Sequence, residues 1–167
     1  LRLVARGDLG APASFGAFGM TTRYRTADPS ALWRFFDAVG IGNSTTRGFW
    51  EAEPPARTDC DRVHATAYIL GRGRVLIAVA AAEAEHPSVD AQEGEAPALA
   101  PLRCRLVLDW AALGVSRRRA RLSAPLIEGF QSEVAEMAAK DLAEGLVPVE
   151  AAEGWLLLLE GCAIGSS

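Results

Sequence analysis

Beyond about residue 57, apolar positions recur at every second residue. In RVHATAYIL, Val63, Ala65, Ala67 and Ile69 fall on one face, the pattern of a half-buried strand. GRG at 71–73 is a hairpin loop, and RVLIAVA returns as a strand apolar on both faces. LRCRLVL alternates again, with Leu102, Cys104, Leu106 and Leu108 on one side, and GWLLLLE at 154–160 is a final buried strand. Ahead of these strands the period is helical. SALWRFFDAVG spaces Leu32, Phe35, Phe36 and Val39 along one helix face, with Asp28 as N-cap, Pro29 in the first turn and Gly40 as the stop. ASFGAFGM predicts a strand end and TTRYRTADP a polar loop, so residues 1–50 read as one strand–loop–helix unit. SEVAEMAAKDLAEG at 132–145 has the composition of a helix. The pattern predicts a mainly β protein: a βα unit over residues 1–50, then an antiparallel β-sandwich over residues 57–162.

LVLDWAALGVSRRRARL, residues 106–122, breaks this rhythm with four arginines in five positions. A helix through it would have to cross Gly114 and Val115. The better fit is strand, one helical turn, strand, with Asp109 capping the turn and Gly114 ending it in the left-handed conformation. Ala120, Leu122 and Ala124 then face inward, and Arg119, Arg121 and Ser123 face outward.

Composition narrows the function. The 167 residues make one ordinary domain, or one domain and a piece of another, and half are hydrophobic, enough for a core. A net charge of −4 argues against a nucleic-acid partner, and no aromatic residue is interleaved with the arginines to stack on bases. WLLLLEGCAI is too short and interrupted to span a membrane. The segment 83–101 is acidic and low in complexity, and reads as a solvated loop. Cys60, Cys104 and Cys162 lack metal or redox spacing and allow at most one disulfide, which leaves the compartment undetermined. With His64 and His86 far apart, no metal site is expected. The chain starts at Leu1 with neither Met nor a signal-peptide pattern, as expected of a fragment, a processed chain or an incomplete gene.

Candidate chemistry is thin. The acidic pairs Glu51/Glu53, Asp59/Asp61 and Glu83/Glu85 could each share a strand face, but all sit in polar, turn-like surroundings and read as solvated surface. Ser116, Ser123 and Ser132 lack a nucleophile-elbow context. Trp33, Trp50, Trp110 and Trp155 read first as core or interface anchors, with a sugar-stacking platform as the alternative.

Taken in order, FGM, DPSALWRFFDAVGI, GFW, VHATAYILGRGRVLIAVA, RLVLDWAALGV, ARLSAPLIEGFQ and VPVEAAEGWLLLLE resemble the C-terminal part of glycosidases related to glycoside hydrolase family 123. The resemblance covers roughly residues 15–82 and 102–160, and it implies that the acidic segment 83–101 is a loop insertion in the β-domain. It implies the last unit of a (β/α)8 barrel followed by a small β-sandwich. Its signature falls on Asp109, Trp110 and Gly114, on Glu128 and Gln131 in the Ala124–Gln131 segment, and on Trp155. It also places Arg23, Tyr24 and Asp28 after the last barrel strand, where barrels bind substrate, although a tryptophan associated with that loop is missing here. The resemblance implies a β-N-acetylgalactosaminidase family that works by substrate assistance: the sugar's acetamido oxygen attacks the anomeric carbon, an aspartate orients it, and a neighbouring glutamate on the same middle barrel strand is the general acid. The chain has no such pair. The resemblance therefore implies no catalytic residue and no cofactor in this chain. It implies a glycosidase-like parent of the β-N-acetylhexosaminidase class, inactivity of this part alone, and the parent barrel as partner, with a glycan as a further candidate. The alternative is a stand-alone carbohydrate- or protein-binding sandwich module.

Overall fold

The computed structural model describes residues 30–81, 102–128, 131, 134–138, 146–149 and 154–162. The elements run α1 (Ser30–Val39), β1 (Thr45–Arg47), β2 (Ala56–Thr58), β3 (Val63–Gly71), β4 (Arg74–Ala81), β5 (Leu102–Leu108), α2 (Trp110–Leu113), β6 (Arg121–Ala124), β7 (Val134–Ala138), β8 (Leu146–Val149) and β9 (Gly154–Glu160). The protein is mainly β, and every strand pair is antiparallel. Six strands form one sheet in the order β1-β3-β4-β9-β6-β7, and three form another in the order β2-β5-β8.

The position of β9 explains its sequence. The last strand inserts between β4 and β6, at the centre of the large sheet. A central strand covered on both faces has no polar side, hence four consecutive leucines. Leu157 and Leu159 enter one buried cluster, and Leu156 the other. β4 divides likewise: Val75, Ile77 and Val79 face one way, Leu76, Ala78 and Ala80 the other. The first cluster unites both sheets, because Ala56, Cys104 and Leu106 of the small sheet pack with Val63, Ala65 and Ala67 of β3. Cys60, in the turn before β3, and Cys104 on β5 form a disulfide that also ties the sheets together. The second cluster lies on the other face of the large sheet, where Leu32 and Val39 of α1 pack over Tyr68, Leu76 and Leu156.

The β3–β4 connection is as tight as the sequence predicts. Gly71 pairs with Arg74, and the two residues between them, Arg72 and Gly73, both have positive φ. That is the requirement of a type I′ hairpin turn. Gly40, at φ 80°, ends α1 at the expected place.

Two local expectations need correction. Segment 132–145 contains the strand β7, not a helix at its start: Val134 and Met137 align opposite Ala124 and Leu122 of β6. Helix propensity is worth only tenths of a kcal/mol per residue, and β6 offers an open edge to pair with. The arginine run is likewise not strand. Arg117–Arg119 form a 3-10 turn, and β6 begins only at Arg121. The inward set Ala120, Leu122 and Ala124 is buried as expected. Residues 83–101 and the proposed strand end at 13–20 lie outside the described residues.

Candidate functional site

The turn carrying the sequence signature is a scaffold. Asp109 accepts hydrogen bonds from the Ala111 N–H (3.1 Å) and the Ala112 N–H (3.0 Å). These are donors that the first turn of a helix leaves unpaired. Five residues after Asp109, Gly114 takes φ 69°, and its N–H closes the turn on Ala111. Between them Leu113 is driven into the core, while Trp110 packs half-buried against it.

Gln131 has a less obvious task. The backbones of Ile127 and Gln131 hydrogen-bond each other in both directions, closing a tight loop after β6. That loop aims the Gln131 carboxamide at β9. Its Oε1 accepts from the Leu156 N–H (2.7 Å), and its Nε2 donates to the Leu156 carbonyl (2.9 Å) and to the Pro125 carbonyl (3.0 Å). The side chain thus continues the β6–β9 ladder past Ser123, the last residue of β6 that pairs there. Glu128, in the same loop, is exposed. Trp155 of β9 packs half-buried against the core.

The loop after β1 is built around an aromatic residue. Arg47 Nε donates to Glu51 Oε2 (2.7 Å), and the Gly48 N–H donates to Glu51 Oε1 (2.8 Å). The Glu51 N–H returns to the Gly48 carbonyl (3.1 Å). The Arg47 guanidinium holds the Glu51 carboxyl below its ordinary pKa of 4.5; burial opposes this, and the Gly48 N–H adds to the lowering. The Trp50 ring lies on Gly48 so closely that a Cβ there would fall 2.3 Å from it. Phe49 meets Trp50 edge to face at 5.1 Å and stacks on His64 of β3 at 4.4 Å. Yet Trp50 remains 57% exposed. Burial lowers the pKa of His64 below its ordinary 6.5.

A second apolar surface flanks α1. Leu32 and Val39 are buried against the sheet, Phe35 and Phe36 are half-buried, and Trp33 is 52% exposed. Leu126, 70% exposed, adjoins Ile127, which is buried in the same cluster.

The acidic pairs come out as surface and scaffold. Glu51 is held by Arg47, and Glu53 and Asp61 are exposed. Asp59 accepts from the Arg105 N–H (2.7 Å), tying the β2–β3 turn to β5. Donor atoms of Asp59, Cys60 and Cys104 lie within 4.8 Å of one another. With the two sulfurs bonded to each other, they are not the thiolates that metal binding needs. Arg23, Tyr24, Asp28, Glu83 and Glu85 lie outside the described residues. Among the described residues no helix is long and apolar enough to cross a membrane.

The sequence reading missed the Arg47–Glu51 clasp and the strand-mimicking role of Gln131. The first had a signal, opposite charges four apart around a glycine. The second had none, because its partner lies 25 residues away.

A family model described as glycoside hydrolase 123, C-terminal domain, matches residues 28–160. No curated protein and no solved structure matches the chain.

Proposed function

The chain belongs to the glycoside hydrolase 123 C-terminal domain family, and from that membership we propose that it is the non-catalytic C-terminal part of a glycosidase-like protein. In this reading residues 1–50 carry the end of a (β/α)8 barrel, apart from β1, which pairs with β3 in the large sheet; the two sheets form a sandwich, and the sandwich braces the barrel. The catalytic carboxylates belong to the barrel, in a parent of the β-N-acetylhexosaminidase class.

The observation that carries this reading is the two-sided character of α1. One side is buried on the large sheet through Leu32 and Val39, while Trp33 stays exposed and Phe35 and Phe36 are only half-covered. A helix apolar on more than one side belongs between two layers. Leu126, also exposed, directly precedes Ile127, which is buried in the cluster beneath α1. The shared core of both sheets supports the sandwich.

Two measurements test it. The 167-residue chain should give no turnover of an aryl N-acetyl-β-galactosaminide above buffer; robust hydrolysis would overturn the non-catalytic role. Trp33→Ser with Leu126→Ser should change the stability of the chain itself by no more than about 0.5 kcal/mol per site. In a longer protein that includes the barrel, the same pair should lower the melting temperature by several degrees. Equal effects in both contexts would overturn the bracing role.

A further inference from the structure

We propose that the Arg47–Glu51 loop is a carbohydrate-binding platform, in which Trp50 stacks on the apolar face of a neutral, β-linked pyranose while Arg47 and Glu51 hydrogen-bond its hydroxyls. The choice of ligand rests on the family's tie to glycosides; the choice of site rests on geometry alone.

A platform must be flat, open on one side and fixed before the ligand arrives. Trp50 is a flat ring fixed by its neighbours, and the residue is 57% exposed. One side of its ring lies on Gly48, where no side chain could fit. Phe49 braces it edge-on and is itself stacked on His64 of the sheet. The loop backbone is clasped through Glu51, which takes the Gly48 N–H and the Arg47 Nε at once. More than half of the residue nevertheless faces solvent. Ordering these groups in advance removes the entropy cost that would otherwise weaken binding. An indole adds a large rigid contact surface with few rotors to freeze.

The polar flank fits an uncharged, hydroxyl-rich ligand. Among the described residues Arg47 uses only its Nε, on Glu51, which leaves both terminal amino groups as donors. Each Glu51 oxygen accepts one bond within the loop and keeps a second lone pair. A paired cation and anion carry no net charge, so neither an anionic nor a cationic ligand is favoured. Vicinal hydroxyls, which both donate and accept, match such a pair. The other tryptophans lack this arrangement: Trp110 and Trp155 pack against the core. Trp33 is as exposed but has no glycine floor or ion-pair flank among the described contacts.

The test is calorimetric titration of the 167-residue chain with cellohexaose, chitohexaose and xylohexaose, with tryptophan fluorescence as a second readout. At least one should bind. Trp50→Ala should weaken that binding by at least about tenfold, equal to ~1.4 kcal/mol, and Trp50→Phe by less. Trp33→Ala should leave it unchanged, which also separates the platform from the bracing surface. Circular dichroism and melting of each variant check folding. No binding of any probe at millimolar concentration, or equal binding by Trp50→Ala, overturns the proposal. So does a Trp50→Ala variant that destabilises only a barrel-containing protein and binds sugar as before, since the loop is then a protein contact.

Discussion

Asp109 and Gly114 show how single residues shape this protein. Asp109 supplies the two acceptors that begin α2, and Gly114 supplies the left-handed conformation that ends it. Asp109→Ala should cost about 1 kcal/mol, typical of a lost N-cap, or roughly 3 °C in melting temperature for a chain of this size. Asp109→Asn should restore most of it. Gly114→Ala should cost about as much for a different reason: a Cβ there would meet nothing within 4 Å, so the penalty is backbone strain alone. Thermal melting of the three variants checks both. His64 contributes through its proton. Its folded pKa lies below the ordinary 6.5 because it is partly buried, so the unfolded chain takes up a proton first as pH falls. Above pH 6.5 His64 therefore costs nothing; as pH falls through its lowered folded value it destabilises the fold. The melting temperature should drop from pH 7.5 to 5.5, and His64→Gln should reduce that drop. An identical drop in the variant would assign it to other groups.

Elements were legible in proportion to their length and periodicity. α1, β3, β4, β5, β6 and β9 were all anticipated, each from an apolar pattern that its buried face explains. β1, β2 and β8 escaped because three or four residues carry too little period to read. β8 also contains Pro148, which an edge strand tolerates because it need not donate on its open side. β7 was misread because its alanines, Glu136 and Met137 favour a helix weakly, while a partner strand decides strongly. The β6–β9 pairing depends on Gln131, whose amide satisfies the Leu156 peptide on both sides. Gln131→Leu would leave that buried N–H and C=O unpaired and should cost about 2–6 kcal/mol, since each unsatisfied group costs roughly 1–3. Chemical denaturation measures the loss, and hydrogen exchange at the Leu156 amide should accelerate beyond that of Leu159. A cost below about 0.5 kcal/mol would show that water replaces the amide.

At the scale of the molecule, two sheets share one core, and a covalent link joins them. The Cys60–Cys104 bridge closes a loop with a sequence separation of 44 residues, while Cys162 is free and exposed. Constraining a loop of this size stabilises by about 4 kcal/mol in the chain-entropy account. Thiol titration of the denatured, unreduced protein should find one reactive cysteine, and dithiothreitol should lower its resistance to urea. Three reactive thiols in protein purified without reductant would contradict the pairing. Such a bridge persists in oxidising surroundings.

Sequence alone determined the antiparallel, mainly β character, the single-turn cap at Asp109, the buried final strand and the family resemblance. Each is encoded locally, in a period, a capping residue or an ordered run of motifs. Tertiary structure alone decided where β9 inserts, which two of three cysteines meet, that Gln131 completes a strand and that Trp50 stays open above a glycine. Those outcomes depend on residues far apart in the chain, so their energies arise only once the sheets have paired. The four tryptophans mark the division: one sequence type, with two packed on the core, one left open on α1 and one held out as a flat exposed ring.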